Sequence, residues 1–227
     1  MNNWKDIWNK RYLNGQGMDL DTLIKLDGFD TGAGRIDAAD WRIYVKGIAE
    51  KLGSKEGEMV FEVGCGAGAF LYALRESTLS VGGCDYAAGL IEAARQAMPD
   101  GEFKVMQAIA LEPNPQYDYV IANSVFHYFG LEYASEVLER MINKAKVAVA
   151  VMEIPDAATK EESECMRRDI LTPMEYEKKY KGLEHTYYER NWFVEQAKVH
   201  GLACVLFDGC VPNYAQNRFR FGCLIRK

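Results

Sequence analysis

The sequence predicts a doubly wound α/β fold, and three observations carry that prediction. A short apolar strand at 59–63 runs directly into glycines at 64, 66 and 68 and then into a helical pattern. β-rich and helical runs alternate between residues 53 and 151, and two further β-rich runs close the chain at 203–208 and 218–226. Right-handed crossovers turn such a pattern into a parallel sheet with helices on both faces. The final run, Arg218-Phe-Arg-Phe-Gly-Cys-Leu-Ile-Arg, alternates well enough to be an added antiparallel strand.

Two helices are expected first, at 3–13 and 37–52, joined by a Gly- and Asp-rich stretch. In the earlier one Trp4, Ile7, Trp8 and Arg11/Tyr12 recur at helical spacing, so one face is aromatic. Such a helix either packs on the domain through its tryptophans or forms a lid across a ligand cleft, and both roles can hold together. The alternating region then reads as strand 59–63, helix 69–76, strand 79–84, helix 89–98 stopped by Pro99, strand 102–106, strand 117–122, helix 132–143 and strand 146–153. Residues 155–190 differ: they are charged and Tyr-rich, with a helix start at Pro173, and they resemble an insertion over the strand ends. A helix at 191–200 leads to the closing strands.

The chain of 227 residues suits one α/β domain. It divides into an amino-terminal helical lid (1–52), a ligand-binding core (53–154), a substrate-cap insertion (155–190) and a carboxyl-terminal helix with its strand pair (191–227). With 48% hydrophobic and 26% charged residues the composition is that of a soluble globular protein. A net charge of -6 without a basic run argues against a nucleic-acid partner and favours a small-molecule substrate. No apolar signal core opens the sequence and no window is apolar enough to span a bilayer, so no membrane partner and a cytoplasmic location are expected. The cysteines at 65, 84, 165, 204, 210 and 223 are scattered, without a Cys-x-x-Cys pair or a histidine at ligand spacing. They read as reduced core thiols, and no metal is expected. The oligomeric state is not encoded in any of these features.

The glycine loop carries the chemistry. A turn built of Gly64, Gly66 and Gly68 lets backbone approach a ligand closely, and the following helix presents unpaired N–H groups. Gly64, Gly66 and Ala69 also fit the looser G-x-G-x-x-G/A dinucleotide fingerprint. Asp85, ending the second strand, suits the hydroxyls of a ribose in either class of ligand. Three features tip the balance away from a dinucleotide. Glu62 lies inside an apolar strand, where its carboxylate needs a cationic or N–H-rich partner. Little chain remains after Ala150 for a separate catalytic domain. The closing strand pair is the third.

On the E-x-G-x-G-x-G loop at Glu62, Gly64, Gly66 and Gly68, on Asp85-Tyr86, and on the stretch Tyr117-Asp-Tyr-Val-Ile-Ala-Asn-Ser-Val-Phe-His-Tyr, the chain resembles the class I S-adenosylmethionine (SAM)-dependent methyltransferases. The resemblance covers roughly residues 53–151 and the terminal strands. It implies a Rossmann-like doubly wound seven-stranded sheet with the last strand antiparallel, helices on both faces, and an inserted lid segment after the fifth strand. It also implies SAM as cofactor and methyl transfer to an O or N atom of a small molecule. The glycine loop with Glu62 and Cys65 would flank the methionine moiety, Asp85 would hold the ribose, and Tyr86 would pack near the adenine. Asn123 and Ser124 would lie near the methionyl ammonium, with Trp8 and Tyr12 covering the cofactor. Where the family often has an acid facing the adenine amine, this chain reads Met106-Gln-Ala-Ile, so Gln107 and Ala108 take that position through side chain or backbone. An NAD-dependent oxidoreductase and a SAM-binding protein without transfer are the alternative readings.

His127, just after the fourth strand, and His185, in the insertion, are the candidate catalytic groups, each with a structural loop role as the alternative. His200 beside Gly201 reads as a helix cap. If the last strand is antiparallel, its beginning lies at the edge where the parallel strands end. That places Asn213, Tyr214, Arg218 and Arg220 near the cleft mouth, where the arginines serve either an internal salt bridge or an anionic substrate group. Tyr187 of the insertion is the remaining candidate substrate contact.

Overall fold

Alternate residues of each central strand point to opposite faces, and this divides the core in two. Val60, Tyr119, Ile121, Ala148 and Ala150 face one apolar layer, whereas Phe61, Val63, Val120, Ala122, Val149 and Val151 face the other. The structure, a computed structural model, describes residues 4–13, 17–29, 36–77, 80–169 and 172–227. Its sheet has seven strands: β1 (Met59–Val63), β2 (Ser80–Asp85), β3 (Glu102–Val105), β4 (Tyr117–Asn123), β5 (Ala145–Pro155), β6 (Ala203–Asp208) and β7 (Arg220–Arg226). Their spatial order is β3-β2-β1-β4-β5-β7-β6. β1 to β5 pair in parallel, and β7 runs antiparallel between β5 and β6.

Helices α2 (Leu20–Leu26), α3 (Ala38–Leu52), α4 (Ala69–Leu74) and α5 (Ala88–Ala97) cover the first layer. Helices α6 (Leu131–Lys144) and α9 (Arg190–Val199) cover the second. The fold is thus the one the sequence predicts, including the antiparallel last strand. A short α1 (Trp4–Trp8) precedes these, and α7 (Lys160–Asp169) and α8 (Pro173–Tyr180) lie in the segment between β5 and α9. Among the described residues, no helix is long and apolar enough to cross a membrane.

Four local expectations are corrected. The helix expected over 3–13 spans only Trp4–Trp8, because Arg11 turns away and donates to the Lys25 and Leu26 carbonyls at the end of α2. The Gly- and Asp-rich join contains α2 itself: Asp19 caps it by accepting from Thr22 N at 2.8 Å, and Leu20, Leu23 and Ile24 are buried. The charged insertion forms α7 before α8, whose start at Pro173 carries a capping box between Thr172 and Glu175. The last strand begins at Arg220, not Arg218, since Asn217–Phe219 form a single 3-10 turn.

Candidate active site

Strand order reverses between β1 and β4, and the crevice at the carboxyl ends of these strands is where an open α/β sheet admits a ligand. A cavity of about 510 Å³ opens there, lined by Glu62 at the end of β1, Asp85 at the end of β2 and Asn123 at the end of β4. The loop after β1 takes the left-handed conformation at Gly64 (φ 71°) and Gly66 (φ 54°). A Cβ on Gly64 would strike the Val125 side chain, and one on Gly66 would strike the Asp27 carboxylate. Only glycine fits both the backbone and the space.

Asp27, just beyond α2, reaches across to this loop. Its Oδ1 accepts from Ala67 N at 2.5 Å and its Oδ2 from Ala69 N at 2.9 Å, so it satisfies N–H groups at the start of α4. The residue is partly exposed along the cavity wall, yet its carboxyl group is enclosed, and burial pushes its pKa up to about 7. Asp85 accepts from Ala87 N at 2.8 Å and Gly66 N at 3.2 Å, and burial raises its pKa too. Glu62 is 2% exposed, and its Oε2 is buried with no hydrogen-bond partner. Burial, then the charges of Asp27 and Asp85, push its pKa well above the ordinary carboxylate range. Three acids therefore share one enclosed wall, a costly arrangement without a cation or strong donors between them.

A second polar cluster lies along the same sheet edge, beyond Asn123. Tyr44 Oη donates to Asn123 Oδ1 at 2.8 Å, and the Tyr44 hydroxyl feels the charges of both Glu153 and Glu62. Glu153 is buried near the end of β5 with φ 57°, at the point where the β5–β7 register slips. Burial pushes its pKa up to about 7, against the opposing pull of Arg220. Arg220 is 5% exposed and donates to the Glu153 carbonyl and to Gln216 Oε1. His127 and His185 stand 4.4 Å apart between ring centroids, with Trp4 stacked on His185 at 5.0 Å. Burial, and then neighbouring cationic groups, hold both imidazoles well below the ordinary histidine pKa, so both are neutral at pH 7.

Residues 61–146 match the family model described as a methyltransferase domain. Over that stretch the chain is similar to a methyltransferase domain. No curated protein matches the sequence significantly. Solved structures do resemble it in fold. Magnesium protoporphyrin IX methyltransferase from Synechocystis, crystallised with SAM, aligns over 98% of this chain and 90% of its own, at 15% identity and a TM-score of 0.62. An N-methyltransferase from Bradyrhizobium japonicum aligns over 84% and 98%, at 13% identity and 0.61. A SAM-dependent methyltransferase from Aquifex aeolicus aligns over 92% and 98%, at 18% identity and 0.56.

The structure brings to one cavity Trp8, Glu62, Gly64, Cys65, Gly66, Asp85, Tyr86, Gln107, Ala108, Asn123 and Ser124. Gly68 stands outside it, as the residue preceding α4. Tyr12 is 60% exposed and also lies outside the cavity wall. Arg218 is exposed on the 3-10 turn, against the Phe219 ring. Tyr187 packs on α7, its hydroxyl 3.5 Å from Ser163 Oγ, and Tyr214 packs against Phe29. His127, His185 and Arg220 gather in the second cluster, and His200 caps α9. Sequence reasoning missed Asp27 and Glu153. Asp27 had only a local Asp-Gly turn signal, and its partners lie about forty residues away; nothing local marked Glu153.

Proposed function

We propose that this chain binds SAM in the acid-lined cavity and transfers its methyl group to an O or N atom of a small-molecule acceptor. The observation that carries this reading is Glu62: an enclosed carboxylate with an unpartnered Oε2, beside Asp27 and Asp85, on a loop only glycine can form. A ligand with an ammonium group, a sulfonium and a ribose supplies the positive charge and the donors that this wall requires. When bound, SAM supplies a methyl carbon on a positively charged sulfur, open to in-line attack.

The residues divide the work. Glu62 and the Gly64–Gly66 loop face the methionine portion. Asp85 spends one lone pair on each of two backbone N–H groups and keeps others for ribose hydroxyls. Tyr86, Gln107 and Ala108 line the adenine end, and Asn123 and Ser124 sit toward the reacting carbon. Trp4 and Trp8 of α1 line the same cavity and exclude water from it. Holding nucleophile, carbon and sulfur in line is the chief catalytic task, and alignment of this kind lowers barriers by roughly 7–11 kcal/mol. His127, His185, Tyr187, Tyr214 and Arg220 are assigned to the acceptor side.

Calorimetric titration of the purified protein with SAM and with NAD is the direct test. We expect saturable SAM binding and no NAD binding, followed by release of S-adenosylhomocysteine when a metabolite pool is added. NAD binding without SAM binding overturns the reading; SAM binding without turnover on any pool reduces it to a SAM-binding protein.

A further inference from the structure

The acceptor side contains three buried polar atoms without partners: His127 Nδ1, His185 Nδ1 and Arg220 Nε. His127 and Arg220 are themselves 3% and 5% exposed, so water does not supply the missing bonds cheaply. The three belong to different segments that the fold deliberately ties together. Thr186 N donates to the His127 carbonyl at 2.9 Å, locking the insertion onto the loop after β4. Tyr188 Oη donates to the Phe126 and Phe129 carbonyls, fixing the same loop from the other side. Arg220 pairs with Pro155 across the β5–β7 ladder, next to the slip that turns Glu153 into its left-handed conformation. A strained, non-glycine residue at a strand end, beside unpaired donors, is a pattern of ligand sites more than of packing.

From this juxtaposition we infer that His127, His185 and Arg220 form an acceptor subsite for a carboxylate, so that the methyl acceptor is a small carboxylic acid. The inference rests on the methyltransferase reading above and names the substrate class for it. A carboxylate accepts through both oxygens and takes the guanidinium Nε–H together with imidazole N–H donors. Both imidazoles are neutral, so each has one N–H to give, and a tautomer with hydrogen on Nδ1 directs it into the cluster. Arg167 on α7 adds a second positive charge near both histidines. Glu153 is the competing anion for Arg220; burial raises its pKa to about 7, which weakens its charge at neutrality and so its hold on the arginine. Trp4 and Tyr128 pack against each other, with ring centroids 4.9 Å apart, and both line the cofactor cavity, so the cluster stands beside that cavity. A phosphate dianion is less well served, since three unpartnered N–H donors are few for its oxygens and the partial charge of Glu153 repels a dianion more than a monoanion.

The test uses benzoate as the probe, with benzamide as its uncharged twin and inorganic phosphate as the other anion. Each is titrated against the full-length protein, with and without saturating S-adenosylhomocysteine, following tryptophan fluorescence and histidine nitrogen resonances. We expect benzoate to bind at least tenfold more tightly than benzamide or phosphate and to shift the resonances of both histidines. Arg220→Gln should erase the preference for benzoate while leaving SAM affinity within about twofold. Because a buried arginine variant can fail to fold, His185→Gln serves as the second variant, with a several-fold loss of benzoate binding expected at unchanged SAM affinity. Equal binding of benzoate and benzamide, tighter binding of phosphate, or a benzoate preference that survives both substitutions overturns the carboxylate subsite. Failure of SAM to bind the unmodified protein is a separate result: it removes the methyl-transfer reading, and with it the acceptor assignment, whatever benzoate does.

Discussion

The cavity wall and the cluster beside it, here the two halves of the site, differ in charge. On the β1–β2 side, Asp27, Glu62 and Asp85 crowd one wall, and burial raises the pKa of each. Beyond β4, Arg220 and Arg167 act on two histidines held neutral. The first encloses like charges, and the second leaves His127 Nδ1, His185 Nδ1 and Arg220 Nε without partners, so each is unfavourable alone. The difference teaches how a cationic cofactor and an anionic acceptor, as proposed above, would each find a complementary wall, with the Tyr44–Asn123 hydrogen bond lying between the two.

The comparison breaks most visibly at Gly66. Gly66→Ala puts a Cβ into the Asp27 carboxylate and forces a left-handed φ on a non-glycine residue, at about 1–2 kcal/mol for the backbone alone. Displacing Asp27 then strands the Ala67 and Ala69 N–H groups, at roughly 1–3 kcal/mol more. Together these predict a loss of SAM affinity on the order of a hundredfold or more by calorimetry, with benzoate binding little changed. Equal loss on both sides would mean that the halves are not independent.

Next in size is Asp85→Ala, expected to weaken SAM by roughly 1–3 kcal/mol, the scale for charged hydrogen bonds. An unchanged affinity removes Asp85 from the cofactor half. Asp85 was legible in the sequence because it ends a strand beside the glycine loop, and such local signals fixed most of that half: loop, strand ends and helix starts are all short-range. Asp27 was not legible, because its meaning depends on α2 folding back onto the loop, and the Gly- and Asp-rich join masked α2. The antiparallel last strand could be anticipated from its alternation. The basic cluster was only partly readable: His127 and Arg220 were placed at the edge where the parallel strands end, but Glu153 owes its character to a register slip that no residue pattern announces.

Acidity sharpens the contrast further, because the two halves respond with opposite sign. Asp27 has a folded pKa of about 7, above its ordinary 3.8, so it contributes stability that is complete below the unfolded value and is lost as pH rises through 7. The histidines have folded pKa values below 6.5, so their contribution is present above that value and is lost as pH falls. A cationic ligand prefers ionised Asp27 and Glu62. SAM affinity should therefore rise from about pH 6 to about pH 8, with proton release on binding that calorimetry in buffers of different ionisation enthalpy detects. Asp27→Asn should flatten that slope, and a slope that is identical in the variant assigns the titration elsewhere.

The smallest expected effect lies at the boundary itself. Tyr44 is 2% exposed and spends its hydroxyl on Asn123 Oδ1, on the wall that separates the acids from the basic cluster. Tyr44→Phe removes that bond at nearly constant volume, so the net cost should be about 0.5–1.5 kcal/mol. If Asn123 only divides the halves, the cost appears as stability, seen as a lowered melting temperature with both affinities nearly intact. If instead the bond aims Asn123 at the reacting carbon, turnover falls several-fold while SAM and benzoate still bind as before. A matched fall in SAM and benzoate affinity contradicts both and makes Tyr44 a shared support for two sites that act as one.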